Sequence, residues 1–179
     1  IERQSWDAVG RPDTHHDAST DAGSTAGTKT DYSSDGYPVR VREAANNTLY
    51  QEVLTLTARG QVRQERYNDQ ARLTTLRTYE ANSGRLLTIN TGLNADGLLQ
   101  NWDFSWDKNG NLLTRWQHSS GYDLQEDVSY DALDRLQTID RRSGAMTAPT
   151  LTHSYDGLGN LMTQTGSPNL SYATSELGC

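Results

Sequence analysis

Residues 155–165 read YDGLGNLMTQT, and residues 106–116 read WDKNGNLLTRW. In both stretches an aromatic residue is followed by Asp, two variable residues, Gly, Asn and Leu. An Asp side chain at the first position of a type I turn accepts a hydrogen bond from the backbone N–H two residues on. Gly three residues later can take the left-handed conformation that begins a return strand. The phrase therefore predicts a β-hairpin turn, and the aromatic residue ends the incoming strand.

The phrase recurs along the chain at intervals of 23 to 27 residues. Its copies begin at Trp6, Tyr32, Leu56, Tyr79, Trp106, Tyr130 and Tyr155, with Leu in the aromatic position of the third copy. A period of this length holds two strands, one tight turn and one looser loop. The predicted fold is all-β and consists of tandem antiparallel β-hairpin repeats.

A small set of residues is predicted to shape these turns and to have no other role. They are Asp7, Gly10, Gly36, Gly60, Gly84, Asp107, Gly110, Asp131, Asp134, Asp156 and Gly159. Asp134 stands where the other copies have Gly, and Asp is one of the few residues that tolerate the left-handed conformation. Between the turns the sequence alternates as strands do, which predicts one face with Trp102, Phe104 and Trp106. By the same alternation Leu112, Thr114 and Trp116 are expected to share a face.

Composition excludes several classes of function. The net charge is −7 and no basic run is present, so the chain has no electrostatic footprint for nucleic acid. No stretch approaches 18 apolar residues, so no membrane span is expected. The single cysteine, Cys179, provides neither a disulfide nor a metal cluster. The His15–His16 pair lies in a polar loop where adjacent side chains diverge, so we predict no metal site. The sequence has no Ser-His-Asp order, no phosphate loop with Lys and no Gly-rich fingerprint opening a helix, so we also predict no cofactor and no catalytic residue.

The chain is expected to divide near residue 31. Residues 10–31 are rich in Asp, Ser, Thr, Gly and Ala and nearly without apolar residues. Residues 1–31 are therefore interpreted as a degenerate first repeat with a polar loop, and residues 32–179 as the repeat array. Because Ile1 opens without a signal peptide, the sequence is expected to be an internal piece of a longer protein.

Several repeats resemble a known family. The stretches RTYEANSGRLLTINTG (77–92), FSWDKNGNLLTR (104–115) and VSYDALDRLQTI (128–139) are similar to the YD repeats of bacterial Rhs proteins, of the C subunits of insecticidal toxin complexes and of teneurins. The resemblance implies a curved sheet that forms part of a hollow β-shell. It also implies two partners, the rest of that shell and an enclosed C-terminal toxin domain. A bacterial protein of this kind would be secreted or at the cell surface, exported by a dedicated secretion system.

The chain also departs from that family. A self-cleavage motif of the type DPxG is absent from these 179 residues, and we expect no variable toxin domain within them. The resemblance therefore implies a truncated, non-catalytic segment of the shell that encapsulates a toxin polypeptide.

Two other functions can be weighed from the residues. The repeated Asp residues are unsuited to glycoside hydrolysis, since that chemistry needs two carboxyl groups in different environments and these share one turn position. Aromatic residues along one face could stack on sugar rings, and Trp102, Trp106 and Trp116 are the candidate sugar platform. The alternative function is accordingly a carbohydrate-binding or adhesion module of YD repeats at the cell surface, with glycans as partners.

Overall fold

A computed structural model describes residues 2–17, 26–68, 73–118 and 123–166, together with the backbone of residues 170–171. Strands, turns and bends make up the regular structure of these residues, and none of them lies in a helix, so none belongs to a helix that could cross a membrane. The strands are β1 (Arg3–Trp6), β2 (Pro12–His16), β3 (Gly27–Tyr32), β4 (Pro38–Glu43), β5 (Leu49–Leu56), β6 (Val62–Tyr67), β7 (Leu73–Tyr79), β8 (Leu86–Leu93), β9 (Gln100–Trp106), β10 (Leu112–His118), β11 (Leu124–Tyr130), β12 (Leu136–Ser143), β13 (Met146–Thr147), β14 (Leu151–Tyr155), β15 (Leu161–Thr165) and β16 (Leu170–Ser171). The predicted all-β fold of tandem antiparallel hairpins is confirmed.

The chain forms two compact units. The first comprises Ile1–Thr78 and Ile89–Leu99, and the second comprises Tyr79–Thr88 and Gln100–Cys179, so that β8 is divided between them. In the first unit, β1 to β7 pair antiparallel in chain order. In the second unit, β9 to β12 and then β14 to β16 do the same, while the short β13 pairs with β12 alone. The division expected at residue 31 falls inside β3, which pairs with strands on both sides.

The hairpins share an irregularity beside the aromatic residue. The register shifts between Asp31 and Tyr32, between Ser129 and Tyr130, and between Ser154 and Tyr155. A type I turn followed by a residue in the left-handed conformation commonly produces such a bulge in a hairpin. The repeated turn therefore sets a repeated bulge.

One bulge changes which side chains share a face. Leu112 pairs with Trp106, but Thr114 rather than Leu113 pairs with Ser105. Directly paired residues of antiparallel strands point to the same face. Alternation without a bulge predicts Leu112, Thr114 and Trp116 together; in the structure Leu112 shares the face of Trp106, and Thr114 lies on the opposite one.

Few side chains of the described residues are fully covered. Leu49, at 2% exposure, is the buried hydrophobic residue, and the buried polar residues are Glu52, Glu65, Thr74 and Thr75. The sheet therefore has little apolar core, and contacts between neighbouring strands must supply much of its stability.

Candidate functional site

The repeated turn is the most regular feature of the molecule, and the turn at Asp107 shows its geometry. The backbone N–H of Asp107 donates to the carbonyl of Asn111 at 3.0 Å, and the N–H of Gly110 donates to the carbonyl of Asp107 at 3.3 Å. The carboxylate accepts the N–H groups of Gly110 and Asn111, both at 2.8 Å. The Asn111 amide donates to its other oxygen at 2.9 Å. One carboxylate thus ties together the backbone and the side chain on the far side of the turn.

The other Asp copies use a closely related scheme. The Oδ1 atom of each accepts the N–H groups two and four residues on, at 2.8 to 3.0 Å, in the turns that begin at Asp7, Asp131 and Asp156. Gly10, Gly36, Gly60, Gly84, Gly110 and Gly159 have φ between +75° and +102°, and Asp134 has φ of +59°. Each glycine predicted from the sequence to shape a turn, and Asp134, thus takes the left-handed conformation.

Copies without Asp substitute other polar groups. Thr57 Oγ1 accepts the N–H groups of Arg59 and Gln61, and Ser33 Oγ accepts the N–H of Tyr37. The Tyr79 copy is one residue longer, and the N–H of its Gly84 donates to the carbonyl of Glu80 at 2.8 Å. The backbone geometry therefore does not depend on a carboxylate.

Hydrogen bonds lower the pKa of the carboxyl that follows the aromatic residue in the four Asp copies. The Arg11 N–H is the largest cause for the pKa of Asp7, the Asn111 N–H for Asp107 and the Arg135 N–H for Asp131. For Asp156 the Asn160 side-chain amide comes first. All four pKa values move in the same direction for the same kind of reason. Acid–base chemistry by a pair of carboxyls needs two whose pKa values are pushed apart, and these four Asp residues offer no such pair.

The aromatic residue of a copy bonds to the copy before it. The hydroxyl of Tyr130 donates to the carbonyl of Leu112 at 3.1 Å, and that of Tyr155 to the carbonyl of Leu136 at 2.8 Å. Trp106 Nε1–H donates likewise to the carbonyl of Leu86 at 2.7 Å. Tyr32 reaches the carbonyl of Pro12 at 2.7 Å. In each case the acceptor is the first residue of the return strand in the preceding hairpin, so these bonds couple neighbouring repeats.

An arginine after the turn strengthens this coupling. Arg135 pairs with Asp131 of its own turn at 2.7 Å, and its guanidinium lies 4.6 Å from the centre of the Tyr155 ring. Arg11 pairs with Asp7 at 2.6 Å and lies 4.3 Å from the centre of the Tyr32 ring. A guanidinium over an aromatic face is attracted by the ring quadrupole. No role was predicted for the arginine at this position, although its spacing of four residues from Asp is visible in both copies.

The three residues of the candidate sugar platform do not share a face. Trp102 stacks on Phe104 with ring centres 6.1 Å apart, and Arg115 lies 5.4 Å from the centre of the Trp102 ring on that face. Trp116 pairs directly with Asp103 and therefore lies on the opposite face. Its ring contacts that of His118 at 4.3 Å, and His118 Nε2 lies 2.9 Å from an Asp103 oxygen. The bulge after Leu112 is the reason for this separation.

Two buried glutamates in the first unit form charge networks that the sequence analysis missed. Glu52 lies between Arg40, at 2.5 Å, and Arg66, at 2.6 Å. Glu65, at 4% exposure, pairs with Arg77 at 2.5 Å and accepts hydrogen bonds from two further side chains. Burial alone would raise both pKa values, but the hydrogen bonds and charges of the partners hold the pKa of each glutamate below its ordinary value. Ion pairs between residues that are twelve or more positions apart on neighbouring strands cannot be recognised in the sequence before the strand register is known.

Other sites are absent or unspecific in the described part of the chain. No group of three or more His, Cys, Asp or Glu side chains is placed to hold a metal there, His15 and His16 included. A cleft of about 810 Å³ lies beside the β12–β13 hairpin and is lined by residues such as Leu124, Arg141 and Met146. Cys179 lies outside the described residues.

Comparison with known proteins shows the fold through solved structures. No family model matches the chain, and no curated protein matches it. A chain of the structure of the Photorhabdus luminescens Tc holotoxin pore with the TccC3-D651A mutation matches 95% of this chain at 20% identity, with a TM-score of 0.74. A chain of the TcdB2-TccC3-Cdc42 crystal structure matches 97% at 18% identity, with a TM-score of 0.53.

The chain is thus a tandem β-hairpin repeat protein with a fold found in toxin-complex structures. This agrees with the Rhs/YD-type repeats recognised in the sequence. The chain spans only 9% and 11% of the lengths of the two matched chains.

Proposed function

We propose that this chain is a non-catalytic structural segment of a longer β-shell that encloses a C-terminal toxin polypeptide. The shell would belong to a bacterial protein that is secreted or displayed at the cell surface through a dedicated secretion system. Its partners are the rest of the shell and the enclosed polypeptide. The observation that carries the proposal is the match of nearly the whole chain to about a tenth of a toxin-complex chain, at a TM-score of 0.74.

The contacts between repeats support a wall-forming role. Each coupled hairpin bonds to its predecessor through an aromatic side chain, so repeats can be added without changing the unit. The polar groups of the turns are committed to the turns themselves, which suits structural residues rather than catalytic ones. A wall of this kind holds a polypeptide by many weak contacts and needs no unique pocket.

Limited proteolysis of the full-length protein that contains this segment tests the proposal. The polypeptide that follows the repeats should resist protease in the full-length protein and be cleaved rapidly when expressed alone. A triple variant, Asp107→Ala, Asp131→Ala and Asp156→Ala, should weaken the wall and speed cleavage. Asp35→Ala is the matched control, because Asp35 lies exposed in a turn and accepts no hydrogen bond from any residue that the structure describes. Equal cleavage rates with and without the repeats would contradict the proposal.

Carbohydrate binding is the second candidate function, and the exposure of Trp116 favours it. Its side chain is 36% exposed on the face that also carries Asp103 and His118. An exposed indole beside polar groups can stack on a sugar ring while those groups bind its hydroxyls. Glycan-array binding that Trp116→Ala abolishes and Trp102→Ala leaves unchanged is the expected result. Absence of binding to every glycan would exclude this candidate and leave the shell proposal standing.

A further inference from the structure

The turn at Asp107 contains a dipeptide with a distinct chemistry. Asn109 is the one Asn of the sequence that is followed by Gly. A backbone nitrogen can attack the side-chain amide of a preceding Asn, and Gly, which lacks Cβ, hinders that approach least. Asn109 is exposed at the tip of the turn, and Gly110 follows it with φ of +102°. We propose that Asn109 is a site of spontaneous deamidation, which Asp107 slows and which Asp134 makes destabilising.

The reaction needs no reagent except water. The Gly110 nitrogen forms a bond to Cγ of Asn109 while the bond from Cγ to Nδ2 breaks, and ammonia leaves with the proton. Water then opens the resulting five-membered imide at either carbonyl, which gives aspartate or isoaspartate. No electron transfer is involved, and the net change is the replacement of an amide by a carboxyl group.

The folded turn restrains the attacking nitrogen. The Gly110 N–H donates to the Asp107 carboxylate at 2.8 Å and to the Asp107 carbonyl at 3.3 Å. Attack therefore requires the turn to open, as local segments of proteins do at equilibrium. A hydrogen bond to a charged acceptor changes such an opening equilibrium by roughly tenfold or more. Asp107 thus protects the site.

The neighbouring turn determines how deamidation of Asn109 affects stability. Asn109 Nδ2 donates to the two carboxylate oxygens of Asp134 at 3.1 and 3.4 Å, which links the fifth turn to the sixth. Asn111 Nδ2 donates to Asp134 as well, at 2.8 Å. After deamidation, residue 109 would present a carboxylate to that of Asp134, and attraction would become repulsion. Isoaspartate would also add an atom to the backbone of a turn whose hydrogen bonds fit four residues.

Peptide mapping by mass spectrometry after incubation at mildly alkaline pH tests the rate. Asn109 should convert while Asn111 and Asn160, each followed by Leu, remain amides. Asp107→Ala should speed conversion by roughly tenfold or more, and Asp35→Ala should not change it. Conversion of Asn109 no faster than that of Asn111, or an unchanged rate in folded Asp107→Ala, would overturn the proposal. Circular dichroism establishes that the variant is folded, and the rate in denaturant should be equal for both chains.

The destabilising effect of deamidation can be tested without the Asp107→Ala variant. Asn109→Asp should lower the melting temperature, and adding Asp134→Asn should restore much of it, because the facing charges are then no longer alike. Asn109→Ser, which removes the amide without adding charge, is the control and should have the smaller effect. An Asn109→Asp chain as stable as the wild type would show that the product has no structural consequence.

Discussion

A left-handed backbone residue closes each turn, and its φ decides what side chain can stand there. At φ between +75° and +102° the turn glycines occupy a region that L side chains enter only at a cost. Asp134, at φ of +59°, lies nearest the left-handed minimum, which Asp tolerates. This explains how Asp can stand at the position that Gly occupies in the other turns. Different residues can thus form the same turn, provided that the closing residue can adopt a positive φ.

Gly159→Val should destabilise the chain by about 1–3 kcal/mol, because a β-branched residue is strained at φ of +93°. Urea unfolding followed by circular dichroism measures the change. Gly157 offers a control within the same turn: it has no positive φ, and a Cβ there would meet no atom within 4 Å. Gly157→Val with the same loss as Gly159→Val would mean that backbone angle is not the cause.

Acid should destabilise the first unit through its buried glutamates. The pKa values of Glu52 and Glu65 are below the ordinary 4.5 in the folded chain, so the unfolded chain binds more protons as the pH falls. Their contribution to the unfolding free energy is complete above about pH 5 and is lost as the pH passes down through the lowered values. Unfolding titrations in urea at a series of pH values measure this slope. Glu52→Gln with Glu65→Gln should flatten it, and an equally steep slope in that variant would assign the effect to other carboxyls.

At the scale of the strand and hairpin, the existence and position of the hairpins could be predicted from the sequence, whereas the face of the sheet on which each side chain lies could not. The seven turns could be located because Asp, Gly and their spacing encode a local geometry. Face assignment failed at Trp116, since the bulge at Leu113 inserts a residue and reverses every side chain after it. The Glu52 and Glu65 networks were missed for a related reason, because cross-strand partners depend on register. The carbonyl to which each aromatic side chain donates, such as that of Leu136 for Tyr155, likewise depends on register.

Tyr155→Phe should weaken the coupling between two adjacent hairpins by about 1 kcal/mol, the usual net worth of a neutral hydrogen bond. The variant keeps the ring that Arg135 covers and removes only the hydroxyl that donates to Leu136. Tyr37→Phe serves as the control, since Tyr37 is 53% exposed and its hydroxyl bonds to none of the described residues. Hydrogen exchange should also quicken in β12 and β14 but not in β4. Equal losses in both variants would show that the bond does not couple repeats.

At the scale of the whole molecule, stability is limited by the scarcity of buried apolar side chains among the residues that the structure describes. Leu49 is fully covered, whereas Trp6 remains 60% exposed and Leu158 91% exposed. A sheet of this kind gains stability chiefly where one strand lies beside another, so a strand with a single neighbour is the weakest place. The low apolar content of the sequence, 34% hydrophobic residues, agrees with this, because composition limits burial whatever the register.

Residues 1–179 alone should therefore self-associate through an edge strand. Among the strands that the structure describes, β1 pairs with β2 alone, and all four of its residues are exposed, so its outer edge and the Trp6 side chain are accessible to another copy. Sedimentation velocity should show weight-average mass rising with concentration. Trp6→Lys should reduce this association, because a charge on an edge strand opposes pairing. Leu158→Lys is the control: it removes an even more exposed side chain, but from the tip of a turn, and should leave the association unchanged. If both variants dissociate equally, general surface hydrophobicity is the cause, and if the wild-type chain is a monomer at every concentration, β1 is not an adhesive edge.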